Sequence, residues 1–160
     1  MNLTGIGYDV HRFASGRPLI LGGVEIPHSH GLDGHSDADV LAHAIADAVL
    51  GAIGERDIGH HFPNSDESIR GISSLEILRK VARLIKTSGG RIINVDATLI
   101  AEAPKIAPHV LEMRENLSSA LEIPLARVGV KATTNERMGF LGRGEGIAAM
   151  AVASVEQADT

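Results

Sequence analysis

The chain has 160 residues, of which 44% are hydrophobic and 22% charged, and its formal net charge at pH 7 is −5. This length and composition predict a single folded domain over residues 1–160, and the negative net charge disfavours a nucleic-acid partner. Because cysteine is absent, disulfides, thiol nucleophiles and cysteine metal sites are excluded. Without a signal-peptide pattern or an apolar run of about 18 residues, we expect a cytoplasmic protein that does not bind a membrane.

The first third of the chain predicts a strand, a hairpin and a helix. Alternating residues from Leu3 to Phe13 predict a strand with Asp9 and His11 on the same face. Two short apolar runs around a glycine pair predict a hairpin within residues 18–26, and residues 27–36 are typical of a loop. Ser36, followed three residues later by an acid, predicts a capping box for a helix that places His43 in its second turn.

The remaining elements predict a sheet covered by helices. Residues 54–69 lack a period and predict a functional surface loop or a short 3₁₀ turn. Helices are predicted over about residues 74–86 and 108–122, and strands over 93–101, 127–133 and 147–155. Since each helix must bury its apolar stripe, we expect a single-domain α/β or α+β fold with one mixed sheet and amphipathic helices on one face. The alanine-rich last strand indicates that its outward face is buried too, as in an oligomer.

One carboxylate and two imidazoles form a candidate metal site. Asp9 and His11 project from the first strand, and His43 lies on a helix that could face them. This set suits Zn²⁺, and three protein ligands leave a fourth position open for substrate. The spacing alone is weak evidence for a metal, since such a pair is more often part of a solvated strand face.

Three further segments are candidates for binding phosphate. His35 precedes a helix N-terminus, where free N–H groups attract anions, although these residues also fit an ordinary helix cap. Thr133, Thr134 and Glu136 offer hydroxyls for phosphate oxygens and a carboxylate for a hard cation, or they belong to a glycine-rich hairpin. Lys105 lies in a proline-rich loop and either contacts a phosphate or is simply solvated.

Six segments in order along nearly the whole chain read GYDVHRF, LILGGVEIP, GLDGHSDADVLAHA, DIGHHFP, AEAPKIAP and TTNERMGFLGRGEGIA. Together they closely resemble the family of 2-C-methyl-D-erythritol 2,4-cyclodiphosphate synthases, which act in non-mevalonate isoprenoid biosynthesis. The resemblance implies a phosphorus–oxygen lyase that acts on 4-diphosphocytidyl-2-C-methyl-D-erythritol 2-phosphate. In this reaction the 2-phosphate attacks the β-phosphorus of the same molecule, and CMP is released. The resemblance also implies a homotrimer with active sites between subunits.

The resemblance implies a role for each candidate residue. It gives one Zn²⁺ per subunit to Asp9, His11 and His43, and a second divalent cation, Mg²⁺ or Mn²⁺, to Glu136. His35 and Thr134 are implied to steady the transition state. The other implied binding residues surround the phosphates (Asp9, His11, His35, Ser36), the methylerythritol (Asp57, Ile58, Gly59, Phe62, Pro63, Asn64, Ser65, Asp66), the cytidine diphosphate (Ala101, Glu102, Ala103, Pro104, Lys105, Ile106, Ala107, Thr133, Thr134, Asn135, Glu136) and a cavity on the trimer axis (Phe140, Arg143).

One position departs from the family pattern, since Asn64 stands where the loop after Phe-Pro usually carries an acid. The absence of cysteine is consistent with the implied reaction, because an intramolecular phosphoryl transfer needs positioning and charge neutralisation rather than a covalent nucleophile. Two other hypotheses use the same residues. One is a metal-dependent hydrolase of nucleotide diphosphates, and the other is a non-enzymic trimeric metal-binding module.

Overall fold

The centre of the fold is a five-stranded mixed sheet. The structure is a computed structural model, and it describes residues 1–158. The strands are β1 (Asn2–Ala14), β2 (Leu19–Leu21), β3 (Val24–Ile26), β4 (Gly31–Leu32), β5 (Gly90–Ile100), β6 (Val128–Thr133) and β7 (Gly146–Gln157). The order of the strands in the sheet is β4-β1-β7-β5-β6, in which only β5 and β6 run parallel. β2 and β3 form the predicted hairpin beside this sheet.

Three long helices cover one face of the sheet, as predicted. The helices are α1 (Val40–Ala52), α2 (Ile58–His61), α3 (Ser74–Thr87), α4 (Val110–Leu121) and α5 (Gly139–Gly142), with 3₁₀ turns at Glu67–Ile69, Ala107–His109 and Leu125–Arg127. α1 packs on β1 and β7, α3 on β5, and α4 on β6, and their buried side chains form one core with the sheet. The predicted fold class is therefore confirmed as α+β.

The inner face of β1 is made of glycine, which lets α1 approach unusually closely. A Cβ on Gly7 would lie 1.9 Å from the Ala44 carbonyl oxygen, and one on Gly5 would lie 2.0 Å from that of Ala48. The large apolar residues of β1 consequently face outward. We call the exposed surface that they form with β7 the outer sheet face, which consists of Ile6, Tyr8, Val10, Met150 and Val152. In the single chain this face is exposed, so its predicted burial depends on assembly.

Local geometry corrects several sequence predictions. α1 begins at Val40 with Asp39 as its N-cap, because the Asp39 carboxylate accepts the Ala42 N–H, so Ser36 is not the cap. His43 is consequently the fourth residue of the helix. In β5 an irregularity between residues 92 and 94 changes which side chains face the core, so that Ile92 is buried and Ile93 only half-buried.

The loop predictions also need adjustment. The segment predicted as a loop over residues 27–36 contains the short strand β4, and residues 54–69 hold α2 and a 3₁₀ turn. Pro108 lies in a 3₁₀ turn that precedes α4. The glycine-rich segment after β6 is not a hairpin, since β6 pairs with β5 while β7 lies between β1 and β5. No helix within residues 1–158 combines the length and apolar character needed to cross a membrane.

Candidate active site

Asp9, His11 and His43 converge at the crossing of β1 and α1. Asp9 Oδ2 lies 3.0 Å from His11 Nε2 and 3.0 Å from His43 Nδ1. One ligand atom from each residue lies within 4.8 Å of the other two, as a single metal ion would require. The structure thus confirms that the three predicted ligands meet, although β1 and α1 are 34 residues apart at this pair.

The hydrogen bond behind His11 indicates that the site fits a cation. His11 Nδ1 lies 2.5 Å from the Asp33 carbonyl oxygen, which can only accept. The Nδ1 atom therefore donates, and in the neutral ring Nε2 presents a lone pair to Asp9. A lone pair and a carboxylate oxygen repel at this distance unless a cation or a proton lies between them. Metal-binding histidines commonly donate their second nitrogen to a carbonyl in this way.

The electrostatics of the triad also favour a positive charge beside Asp9. Burial acts to raise the pKa of Asp9, but hydrogen bonds and charges from His11 and His43 outweigh it and hold that pKa well below its usual range. For His11, burial acts to lower the pKa, while the Asp9 carboxylate, together with the hydrogen bond to the Asp33 carbonyl and the charge of Asp33, outweighs burial and raises it. The ionised carboxylate therefore attracts a proton or a metal ion to the same position.

A cleft opens from the triad and contains part of the predicted sugar-binding loop. Its lining comprises the three triad residues and Gly34, His35, Ser36, Ile58, Gly59, Phe62, Asn64, Ile69, Ile72 and Ile77. Asp57 lies at the edge, where its carboxylate caps α2 by accepting the His60 N–H at 3.0 Å. The other predicted loop residues, Pro63, Ser65 and Asp66, lie outside this lining. The Asp66 carboxylate instead accepts the Ser68 N–H and hydroxyl.

Of the two interpretations of the segment before α1, an anion site or an ordinary helix cap, the structure shows the cap. The carboxylate of the fully buried Asp39 accepts N–H groups from Gly22, Gly23 and Ala42 at 2.8–3.1 Å, and so occupies that helix end. His35 nevertheless faces the cleft. Its Nε2 is buried and has no hydrogen-bond partner among residues 1–158, so that it can bind a ligand placed there.

A second cleft brings together two predicted cytidine-diphosphate segments. It is lined by Ala101, Glu102, Pro104, Lys105, Ile106, Ala107, Ala132, Thr133 and Thr134. Glu102 Oε1 accepts the N–H groups of Asn135 and Arg137 at 2.9 and 3.2 Å, which ties the two segments together. Thr134 Oγ1 donates to Glu136 Oε1 at 3.3 Å. Ala103 lies beside the lining in the same loop.

The sheet keeps these two clefts apart within one chain. Val10, Ala148, Ile100 and Thr133 lie in one row across β1, β7, β5 and β6. Three strand spacings of about 4.8 Å place Thr133 about 14 Å from Val10. A single chain therefore does not bring Thr134 and Glu136 to its own Asp9 and His11.

The two residues predicted at the trimer axis lie near one another beside a third cleft. Phe140 lines it together with Val10, His11, Arg12, Phe13, Glu145 and Gly146. The Arg143 guanidinium instead pairs with Glu145 at 2.7 Å. Phe140 is 44% exposed in the single chain.

Sequence reasoning missed several residues that support the first cleft. Asp47 of α1 accepts the Ile58 N–H at 2.8 Å and so anchors the loop over the site. A signal for it was present, since a polar residue four positions after His43 lies on the same helix face. Ile69, Ile72 and Ile77 also line the cleft, but nothing in their spacing distinguishes them from core residues.

Comparison with known proteins agrees with these observations. A family model described as the YgbB family matches residues 3–156. The chain belongs to this family. It is 62% identical over 154 residues to the 2-C-methyl-D-erythritol 2,4-cyclodiphosphate synthase of Akkermansia muciniphila, covering 96% of this chain and 91% of the relative. The family resemblance inferred from the six segments is therefore confirmed.

Solved structures of YgbB relatives share the fold. The bifunctional IspDF of Campylobacter jejuni superposes with a TM-score of 0.94 at 40% identity, covering 99% of this chain but only 43% of that protein. IspF of Plasmodium falciparum in complex with CDP gives a TM-score of 0.85 at 33% identity, covering 99% of this chain and 97% of that one. The single sheet with helices on one face is thus the family fold.

Proposed function

We propose that the chain converts 4-diphosphocytidyl-2-C-methyl-D-erythritol 2-phosphate to the 2,4-cyclodiphosphate and CMP. The observation that carries this proposal is that Asp9, His11 and His43 meet in a cleft. The chain in which they meet is 62% identical to a 2-C-methyl-D-erythritol 2,4-cyclodiphosphate synthase. The reaction joins two phosphates of one bound molecule. Holding reacting groups in place can lower such a barrier by about 7–11 kcal/mol, and no covalent nucleophile is needed.

The metal ligands follow from the donor set. Asp9, His11 and His43 offer one oxygen and two nitrogens, which suits Zn²⁺ and leaves a position for substrate. Bound there, the ion would act as a Lewis acid toward a phosphate oxygen. Glu136 is the proposed ligand for Mg²⁺ or Mn²⁺ accompanying the substrate diphosphate, because a carboxylate suits a hard cation.

His35 and Thr134 are proposed to hold the phosphates. The buried, unpartnered Nε2 of His35 faces the triad cleft, and the Thr134 side chain lines the second cleft beside the Lys105 loop. Both can hydrogen-bond to phosphate oxygens and orient them for attack. Residues 101–107 and Thr133 would then bind the cytidine diphosphate, and Ile58, Gly59, Phe62 and Asn64 would bind the methylerythritol.

A homotrimer would unite the two clefts. In one chain Thr133 of the second cleft lies about 14 Å across the sheet from Val10, the neighbour of Asp9 and His11, whereas the proposed reaction needs both clefts at one substrate. The outer sheet face, where Ile6 is 68% and Tyr8 51% exposed, offers an apolar surface for assembly. We therefore propose that the second cleft of one subunit completes the triad cleft of its neighbour.

The products decide between this activity and its alternatives. In ¹⁸O-labelled water the purified protein should convert the cytidyl substrate to unlabelled CMP and unlabelled cyclic diphosphate. A hydrolase would place one label per turnover in a product, and a metal-binding module would give no turnover. His43→Ala should abolish both the bound zinc and the activity. The matched control His30→Ala removes an exposed histidine and should retain both.

A further inference from the structure

A buried serine and a half-buried aspartate lie on the side of His43 opposite its candidate metal-binding nitrogen. His43 Nδ1 faces Asp9, while its Nε2 lies 2.9 Å from Ser74 Oγ. Ser74 is the first residue of α3 and is completely buried. Its N–H donates to Asp37 Oδ2 at 2.9 Å, and its hydroxyl donates to Asp37 Oδ1. The family resemblance gave neither Ser74 nor Asp37 a role.

The direction of each hydrogen bond in this chain follows from what its members can donate. An ionised carboxylate only accepts, so the Ser74 hydroxyl must donate its single hydrogen to Asp37. The Ser74 oxygen is then left with lone pairs toward His43, and Nε2 must be the donor. In the neutral imidazole this leaves the lone pair on Nδ1, which is the atom that faces Asp9.

Ser36 offers a second hydroxyl but does not impose the same direction. Its oxygen lies farther from His43 Nε2, at 3.2 Å, and accepts the Ala38 N–H at 3.1 Å. Among residues 1–158 no carboxylate accepts the Ser36 hydroxyl hydrogen. This hydroxyl can therefore either accept from His43 or donate to it, so it does not determine which nitrogen carries the proton.

We propose that Ser74 and Asp37 are positioning residues that hold His43 with its Nδ1 lone pair directed at the metal. The inference rests on the proposed metal site and adds two residues to it. Partners of this kind typically change metal affinity by about 10- to 100-fold when removed. Because Ser74 also starts α3, the same contact joins that helix to the site.

Ser74→Ala is the direct test, because it removes the hydroxyl and keeps the backbone N–H that Asp37 accepts. We expect zinc affinity, measured by competition with a chelator of known affinity, to fall about 10- to 100-fold. Ser74→Thr, which keeps the hydroxyl, should bind more tightly than Ser74→Ala. The matched control is Ser118→Ala on α4, a helix that contributes no residue to the triad cleft; it removes a half-buried hydroxyl that donates to the Ile123 carbonyl at 2.6 Å. This control should bind zinc as the unchanged protein does.

A second measurement needs no variant at the site. Long-range ¹H–¹⁵N NMR of the zinc-loaded protein should show the remaining ring proton of His43 on Nε2, and zinc bound at Nε2 with the proton on Nδ1 would overturn the proposal. Unchanged zinc affinity in Ser74→Ala, an equal loss in Ser118→Ala, or a larger loss in Ser36→Ala would overturn it too. These readouts do not depend on turnover, so a protein that binds zinc but forms no cyclic diphosphate would refute the proposed function alone.

Discussion

Replacing Gly7 with alanine tests whether the close contact of β1 and α1 builds the metal site. The added Cβ would lie 1.9 Å from the Ala44 carbonyl oxygen and 2.8 Å from the Ala48 nitrogen. Both atoms belong to the helix backbone, so no side-chain rotation can relieve the contact. α1 must instead move away from β1 by about 1 Å or more before even a tight van der Waals separation is reached.

The expected effects follow from that displacement. Overpacking a core typically costs about 1–3 kcal/mol, and we expect the upper end because the obstacle is backbone. A loss of about 3 kcal/mol corresponds to a melting temperature about 6–12 °C lower for a domain of this size. Asp9 lies two residues after Gly7 and His43 immediately before Ala44, so the 3.0 Å separation of their ligand atoms should widen. We therefore expect zinc affinity to fall by about tenfold or more.

Calorimetry and chelator competition measure the two effects separately. Gly51→Ala is the matched control, since it lies in the same helix and its nearest neighbour, the Ile6 carbonyl oxygen, is 3.8 Å from the added Cβ. Glycine inside a helix is less favourable than alanine by about 0.5–1 kcal/mol, so this control should melt slightly higher and bind zinc normally. If Gly7→Ala matched the unchanged protein in both measurements, the close contact would not be what positions the ligands.

Three further predictions concern the other parts of the site. Glu102→Ala should raise the KM for the cytidyl substrate, because the Asn135 and Arg137 N–H groups lose the carboxylate that holds their turn. In this turn Glu136 and Arg137 have positive φ of 52° and 61°. Since glycine tolerates positive φ, adding Arg137→Gly to Glu102→Ala should partly restore the KM. Val152→Lys should give a monomer by sedimentation, since it places a charge on the outer sheet face opposite Ile6; a trimer that still forms would place the interface elsewhere. In the folded protein without metal, the pKa of His11 is raised, so the stability that protonated His11 contributes is full below the unfolded pKa and is lost as pH rises through the folded pKa. The melting temperature of the metal-free protein should therefore fall between pH 6 and 9, and it should fall less in His11→Asn. Zinc competes with the proton for His11, so the stabilisation that zinc provides should increase over the same pH range.

The sequence predicts elements well where one periodicity dominates. The amphipathic spacing of α3 and the alternation of β1 depend on neighbours within a few residues, and both elements were found with nearly correct ends. The start of α1 was missed because two side chains compete for it. Both Ser36 and Asp39 can cap a helix, and the choice is made by the distant N–H groups of Gly22 and Gly23, which bind the Asp39 carboxylate.

Long-range geometry limited the prediction of the site in the same way. Asp9 and His11 share a strand face, which alternation reveals, but the arrival of His43 depends on glycines that allow α1 to approach. The roles of Asp33 and Ser74 behind the two histidines come from a loop carbonyl and a helix start that no local pattern connects to the triad. The family resemblance named the three candidate ligands, and only the structure shows which residues contact them.

The glycine-lined inner face and the apolar outer face of β1 have a common origin. Side chains alternate along a strand, so placing Gly5 and Gly7 against α1 places Ile6, Tyr8 and Val10 on the opposite face. The first set brings His43 to Asp9, and the second creates a surface that a single chain leaves exposed. The register of the sheet also keeps Thr133 about 14 Å from Val10. β1 therefore carries two of the three candidate metal ligands on one face and, on the other, the surface proposed for assembly. In the proposed trimer, a neighbouring subunit would supply the second cleft. Substitutions on the inner face of β1 should therefore affect metal binding, whereas substitutions on its outer face should affect assembly.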